Sequence, residues 1–256
     1  LLEAYKALSM EAESNFASGN LQQGLMDQEG VVSFAADLFG DGHLLTADAQ
    51  FRFYQKLLEA GVLPYAEAMS DAVYGAYVEA LGSEHPSTIQ MLGQSHWLYL
   101  QQGNVDMAMS ILEIVQGQML AVLPSAHRYN QLIIEDRVRI LNQTGQAQTA
   151  VGEQAALCET LSAALSPWHP RYHACLDYLS QLTIGTGELM VAQQYLEQGI
   201  DLAREGSGLA AVDAVNMSLR LADVYRKSGQ LAKGRSTLND ALELTTARSD
   251  TWLRGN

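Results

Sequence analysis

The stretch Gly103-Asn104-Val105-Asp106-Met107-Ala108 decides the fold, because its first and last residues recur through the chain. A glycine stands at every step of 42 residues from Gly103, and a small residue follows each glycine five positions later. The glycines are Gly19, Gly61, Gly103, Gly145, Gly187 and Gly229, and the small residues are Gly24, Ala66, Ala108, Ala150, Ala192 and Gly234. A period of this length indicates an array of repeated supersecondary units.

Each period is predicted to hold two helices, helix A before the glycine and helix B after it. Glycine ends a helix well because it enters the left-handed region without a Cβ penalty, and the small residue allows helix B to approach helix A closely. In the sixth period the apolar residues recur at helical spacing on both sides of Gly229. The predicted repeats are 1–42, 43–84, 85–126, 127–168, 169–210 and 211–247, which form one array, and residues 248–256 are a polar tail or cap.

The links between repeats keep the same register. His43, His85, His127 and His169 are spaced by 42 residues, and proline follows two of them. Proline pushes its predecessor out of the helical region, so His85 and His169 are predicted to be extended. A metal site shared by these histidines is excluded because successive repeats are separated by stacked helices at about 8–10 Å each, far beyond metal–nitrogen distances of about 2 Å. Each histidine is instead expected to fix a helix start by hydrogen bonding.

These patterns resemble tetratricopeptide repeats, in the 42-residue form found in kinesin light chains. The resemblance is carried by Leu81-Gly82-Ser83-Glu84-His85-Pro86 and by the stretch 221–231, Leu-Ala-Asp-Val-Tyr-Arg-Lys-Ser-Gly-Gln-Leu. It implies an all-α fold, a right-handed α-solenoid (superhelix) of six helix-turn-helix units. The extra residues of the long period are expected to lengthen the helices rather than the loops.

Composition restricts the partners. The chain has 256 residues and a net charge of −14, with 15 basic and 29 acidic residues. Nucleic acids and anionic membrane surfaces require clustered Lys and Arg, so neither is expected as a partner. No continuous apolar run reaches the roughly 18 residues of a membrane span, and no span is predicted. The expected partner is a protein or peptide that is neutral or basic.

The first residues lack an initiator Met and the basic, apolar start of a signal peptide. The chain is therefore expected to be a processed or excised piece, with a cytoplasmic location. Cys158 and Cys175, the two cysteines, lie symmetrically about the link at Ser166 and Pro167. A disulfide between them is geometrically feasible, but a buried cysteine more often serves as a small apolar residue, and their redox state is left open.

Catalytic chemistry is not expected. His173 and Cys175 could in principle act as base and nucleophile, but residues two apart on a helix face different directions. Phosphate-binding glycine loops and zinc-type spacings are missing from the sequence. The chain is predicted to be no enzyme and to need no cofactor or metal.

The resemblance places a ligand groove on the A helices, at positions up to 13 residues before each turn glycine. Carried over to this chain, these positions give a surface rich in glutamine, with one aromatic ring and one arginine. The predicted groove residues are Gln55, Gln90, Trp97, Gln101, Glu135, Arg139, Gln143, Asp177 and Gln181. Amides can pair with a peptide backbone, and Trp and Arg are frequent binding hot spots.

The predicted function is a non-catalytic scaffold that binds a protein or peptide in this groove. One alternative is a structural or oligomerisation array within a larger signalling protein, and another is a sensor of a small ligand or peptide. An exposed apolar face on an end repeat would favour oligomerisation. The partner, the parent protein and the oligomeric state are not determined by the sequence.

Overall fold

The computed structural model describes residues 1–167, 169–205 and 210–254. The regular secondary structure of this part of the chain is entirely α-helical. The A helices are α1 (Leu2–Ala17), α3 (Leu44–Glu59), α5 (Pro86–Gln101), α7 (Arg128–Gln143), α9 (Pro170–Gly185) and α11 (Ala210–Lys227). The B helices are α2 (Leu21–Phe39), α4 (Leu63–Leu81), α6 (Val105–Val122), α8 (Ala147–Ala164), α10 (Leu189–Glu205) and α12 (Leu231–Arg254).

By its contacts the chain divides into two compact units, Leu1–Ile133 and Ile134–Asn256, with the division inside α7. In unit 1, α1 packs on α2, α2 on α3, and the order continues through α6. In unit 2, α8 to α12 pack in the same sequential way. The A helices before α11 have 16 residues, and α2, α4, α6 and α8 have 18 or 19. Most of the 42-residue period is thus helical, as predicted.

The turn glycines adopt the predicted backbone conformation. All six have a positive φ, between 68° and 83°. At Gly103 the backbone N–H of the glycine donates to Leu100 O at 3.0 Å, and the N–H of Asn104 donates to Tyr99 O at 2.8 Å. This double hydrogen bond is the Schellman motif, which satisfies the last carbonyls of helix A. A residue with a Cβ would be strained here, so the periodic glycines set the repeat.

The link histidines start the A helices. The Nδ1 atoms of His43, His85, His127 and His169 each accept a hydrogen bond from the backbone N–H two residues later, at 3.1–3.3 Å. His85 and His169 have extended backbones, with ψ of 135° and 130°. The structural role expected for these residues is confirmed, because each satisfies a backbone donor that the first helical turn leaves without a partner.

The small residue after each turn glycine is a packing residue, as predicted. Ala66, Ala108, Ala150 and Ala192 are all 0% exposed. A Cβ added to Gly24, at the same position of the first repeat, would lie 2.7 Å from the ring of Phe16. Close contact between helices A and B leaves no room for a larger side chain here.

Helix α6 departs from one expectation drawn from the sequence. By length and composition α6 is apolar enough to cross a membrane, and it alone among the described residues passes that test. The sequence-based statement that no segment reaches that length was therefore too strict, because it considered only uninterrupted apolar runs. In the structure α6 packs on α5 and buries Ala108, Leu112, Val115 and Met119.

Helix α12 is longer than the other B helices. It has 24 residues and continues to Arg254, so residues 248–254 of the predicted tail extend this helix. Residues 255–256 lie outside the described part of the chain.

Candidate peptide-binding surface

A cavity of about 260 Å³ opens between α3 and α5 in unit 1. Its lining residues are Gln55, Leu58, Glu59, Gln94, Trp97 and Gln101. Three of them, Gln55, Trp97 and Gln101, belong to the groove predicted from the sequence. The structure thus brings together predicted residues from two consecutive repeats.

Gln94 was not among the predicted groove residues. It lies three residues before Trp97 and seven before Gln101, a spacing that places all three on one face of α5. That spacing was available in the sequence and could have identified Gln94. Gln90 also lies on α5 and is half-buried, but it is not one of the residues that line the cavity.

Trp97 is half-buried rather than exposed. Its ring packs against the core cluster that contains Tyr54 and Leu58, and its centroid lies 4.7 Å from that of the buried His96. The ring is therefore fixed by the core on one side and borders the cavity on the other. A rigid aromatic wall of this kind costs little conformational entropy when a ligand binds.

The glutamine side-chain amides that line the cavity differ in their hydrogen bonding. Gln101 Nε2 donates to the carbonyl oxygen of Leu58 at 3.1 Å and so connects α5 to the end of α3. At the edge of the cavity, Glu59 forms an ion pair with Lys56 at 2.9 Å. The amides of Gln55 and Gln94 border the cavity, and an amide can both donate to and accept from a peptide backbone.

The remaining predicted residues belong to unit 2. Glu135 and Arg139 lie on α7, and Arg139 is exposed and forms an ion pair with Asp136 at 2.9 Å. Gln143 is exposed at the end of the same helix. That Trp97 and Arg139 line one groove stays a prediction, since these residues belong to different units.

Asp177 and Gln181 are held together on α9. Gln181 Nε2 donates to Asp177 at 3.0 Å, and Asp177 forms an ion pair with Arg220 of α11 at 2.9 Å. Burial raises the pKa of Asp177, and the Arg220 guanidinium opposes that shift. Burial also raises the pKa of the neighbouring Tyr178, with Arg139 acting in the opposite direction. The ion pair brings opposite charges together, but Asp177 Oδ1 and Arg220 Nε are buried and make no hydrogen bond of good geometry.

The two cysteines form a disulfide between α8 and α9, with 5.6 Å between their Cα atoms. Of the two alternatives left open by the sequence, the structure has the covalent one. Cys175 therefore carries no thiol that could act as a nucleophile, and the buried His173 instead has its Nε2 3.1 Å from the carbonyl oxygen of Pro167. Among the described residues, no group of three or more His, Cys, Asp or Glu side chains could hold a metal ion.

Comparison with known proteins gives structural relatives only. No protein-family model matches the chain, and no curated protein matches its sequence. Solved structures do match, and BtubC (BKLC) from P. vanneervenii gives a TM-score of 0.68 at 16% identity, over 90% of this chain and 92% of that one. A putative kinesin light chain of Podosopora anserina with nearly identical tetratricopeptide-like repeats gives 0.62 at 21% identity, over 78% of this chain and 95% of that one. The quorum sensor NprR from B. thuringiensis gives 0.56 at 10% identity, over 95% of this chain and 77% of that one.

These likenesses establish the fold. The chain is an all-α helical-repeat protein with the tetratricopeptide-like architecture that the putative kinesin light chain repeats also have. At such low identities the function of a neighbour does not transfer with its fold. What this chain does has to be argued from its own surface.

Proposed function

We propose that this chain is a non-catalytic scaffold that binds a protein or peptide across α3 and α5, with the cavity beside Trp97 as its centre. The observation that carries this proposal is the shared cavity of Gln55, Gln94, Trp97 and Gln101. Helical-repeat arrays commonly use such extended surfaces for protein binding. An aromatic wall flanked by amides suits a peptide, since one side chain can enter the cavity while the amides pair with the backbone.

The size of the cavity favours a peptide side chain over a small-molecule ligand. At about 260 Å³ it lies below the ~300–1,000 Å³ of typical small-molecule sites. The sensor of a small ligand is therefore the weaker alternative. A peptide that lies along the surface needs only one anchoring side chain at this place.

Electrostatics favour a neutral or basic partner. The whole chain carries a net charge of −14, and Glu59 lines the cavity. An acidic peptide would be repelled, and a basic one would bind more weakly as salt screens the attraction. The same charge argues against nucleic acid and anionic membranes.

A peptide array read by fluorescence binding tests the proposal. The double variant Gln55→Ala, Gln94→Ala should lose at least tenfold in affinity for peptides that the wild type retains, and Trp97→Ala should lose more. The control is Gln118→Ala, an exposed glutamine on α6 outside the cavity. Unchanged binding by the two cavity variants, with folding confirmed by circular dichroism, would show that the site lies elsewhere.

Arg139→Ala tests whether the binding surface extends into unit 2. If it does, adding Arg139→Ala to Trp97→Ala weakens binding further than Trp97→Ala alone. Equal affinities of the single and double variants would confine the site to unit 1.

A further inference from the structure

The polar side chains that line the cavity between α3 and α5 call for a ligand with hydrogen-bond donors. Gln101 has its Nε2 committed to the carbonyl oxygen of Leu58 at 3.1 Å, so the amide oxygen is the end that remains for a ligand. Glu59 lines the cavity with a carboxylate, which only accepts hydrogen bonds when it is ionised. Gln55 and Gln94 can turn either end of their amides toward a ligand. A ligand that pairs with Glu59 and Gln101 must therefore donate.

The charge of the lining points in the same direction. Of the described residues that line the cavity, Glu59 alone is charged, and its side chain is 64% exposed. The two basic residues of α3, Arg52 and Lys56, do not line the cavity. The lining thus combines one negative charge with several acceptor oxygens, and hydrogen bonds from a cation to such groups are the strong ones.

The ion pair of Glu59 with Lys56 leaves part of the carboxylate available. Lys56 Nζ lies 2.9 Å from Glu59 Oε2 and 4.9 Å from the centroid of the Phe16 ring. Within the described part of the chain, no group donates to Glu59 Oε1. An exposed pair three residues apart on one helix contributes little to stability. A cation in the cavity can therefore reach Glu59 without displacing Lys56.

The apolar part of the lining suits a methylene stem. Leu58 is 6% exposed, and Trp97 packs against the core cluster that contains Leu58. The remaining surfaces of these two side chains line the cavity. Long basic side chains bury their stems along apolar surface of this kind while the charged end reaches a polar group.

We propose that the cavity takes an arginine side chain of the bound peptide. The stem packs on Leu58 and Trp97, and the guanidinium donates to Glu59 and to the amide oxygen of Gln101. This rests on the proposed function, since it names the residue that the same site recognises. Arginine fits better than lysine because its planar guanidinium carries five N–H donors in a fixed fork and is more weakly hydrated than an ammonium group.

Unit 2 already holds a guanidinium between neighbouring A helices. Residues separated by multiples of 42 are equivalent in the repeat. Gln94 of α5 is equivalent to Arg220 of α11, and Arg220 forms an ion pair with Asp177 of α9 at 2.9 Å. In unit 1 a carboxylate, Glu59, again lies on the preceding A helix, but the place of the arginine is taken by an amide. The arginine of the peptide supplies in unit 1 the cation that the protein itself supplies in unit 2.

The distribution of charge along the chain supports a basic peptide at this site. Residues 1–133 include 15 acidic and 4 basic residues, whereas residues 134–256 include 14 acidic and 11 basic residues. The net negative charge of the chain therefore lies mainly in unit 1, which contains the cavity. A field of this sign attracts a cationic peptide and raises its rate of encounter.

Fluorescence polarisation with substituted peptides tests the inference. The peptides that an array of random sequences retains should share an arginine, and each is resynthesised with a fluorescent label and with that arginine replaced. Replacement by glutamine should weaken binding to the wild type about tenfold, because it removes hydrogen bonds to a charged group. Replacement by lysine should have a smaller effect of the same sign.

Glu59→Gln tests the assigned contact from the side of the protein. It should weaken binding of the arginine peptide about tenfold and leave the glutamine-substituted peptide within about twofold of its affinity for the wild type. Glu59→Lys should reverse the preference, so that a peptide with glutamate in place of the arginine binds more tightly than the arginine peptide. Glu113→Gln is the control, since it removes the same charge from an exposed position on α6 outside the cavity.

The possible results separate the arginine assignment from the proposed function. Peptides that lose affinity for Trp97→Ala but tolerate replacement of every arginine would keep the site and overturn the arginine assignment. Equal binding of the arginine peptide to Glu59→Gln and to the wild type would overturn it as well. So would an equal loss in Glu59→Gln and Glu113→Gln, because the effect would then follow net charge alone. If no retained peptide depends on the cavity residues, the proposed function fails and the arginine assignment fails with it.

Discussion

The surfaces between neighbouring A helices are formed by equivalent repeat positions in the two units, but the side chains at those positions differ. Between α3 and α5 in unit 1, the cavity is bordered on the α5 side by Gln94, Trp97 and Gln101. The equivalent residues of α11 in unit 2 are Arg220, Asp223 and Lys227. These are engaged in ion pairs, Arg220 with Asp177 and Lys227 with Asp223, both at 2.9 Å. Repeat position thus decides which face a residue occupies, whereas its side chain decides whether that face can receive a ligand.

The contact between successive repeats also differs between the units. Cys158 and Cys175 are covalently joined in unit 2. The equivalent residues in unit 1, Val32 and Ala49, belong to one apolar cluster. This pair of positions is held by packing in unit 1 and by a disulfide in unit 2. The stabilities of the two units should therefore respond differently to reductant and to mutation.

Removal of the disulfide should have the largest effect. For a sequence separation of 17, the loss of this constraint lowers the free energy of unfolding by about 3 kcal/mol. We expect Cys175→Ala to destabilise unit 2 and leave unit 1 unchanged, so that urea unfolding separates into two transitions. Reductant should reproduce the effect in the wild type and have none in the variant.

The prediction would be contradicted if the urea unfolding curve of the wild type were the same with and without reductant. Alkylation in denaturant, which makes the buried cysteines accessible, of the protein isolated from its source also tests the compartment. Disulfides persist in oxidising compartments and are rare in the cytosol. Two modified cysteines without prior reduction would agree with the predicted cytoplasmic location, and no modification would argue against it.

Ala108→Leu should have a smaller effect, this time in unit 1. Ala108 is 0% exposed between α5 and α6, and overpacking such a contact costs about 1–3 kcal/mol. Gln118→Ala, an exposed change on the same helix, should stay within about 0.5 kcal/mol. Gln101→Ala should fall between them, at about 1 kcal/mol, because it removes the hydrogen bond to Leu58. Equal urea midpoints for Ala108→Leu and Gln118→Ala would refute the packing role of Ala108.

The smallest expected effect is a pH dependence in unit 2. Burial raises the pKa of Asp177 above its ordinary value of 3.8. The stabilising contribution of this group is therefore complete below pH 3.8 and is lost as the pH rises through the folded-state pKa. The difference in free energy of unfolding between wild type and Asp177→Asn should thus decrease from acid to neutral pH.

Asp223 is the matched control, with the opposite sign. Hydrogen bonds from Lys227 and Arg226 lower the pKa of Asp223. Its contribution is present above the unfolded-state pKa and is lost as the pH falls through the folded-state pKa. The corresponding difference for Asp223→Asn should therefore increase from acid to neutral pH. Parallel slopes for the two variants, measured by urea unfolding at several pH values, would contradict both assignments.

The sequence by itself determined the repeat. Gly103 and its equivalents must adopt a positive φ, and His85 and its equivalents must cap a helix, because both are local backbone requirements that depend on few neighbours. Such requirements recur with the period and can be read without a structure. The helical hairpins, their lengths and the packing role of Ala108 followed from them.

Only the tertiary structure decided which residues meet. Gln55 and Trp97 border one cavity, Asp177 forms an ion pair with Arg220, and the two cysteines form a disulfide. Each of these outcomes depends on side chains from different helices. A periodic pattern specifies the face of a helix, but burial and pairing depend on what packs against that face.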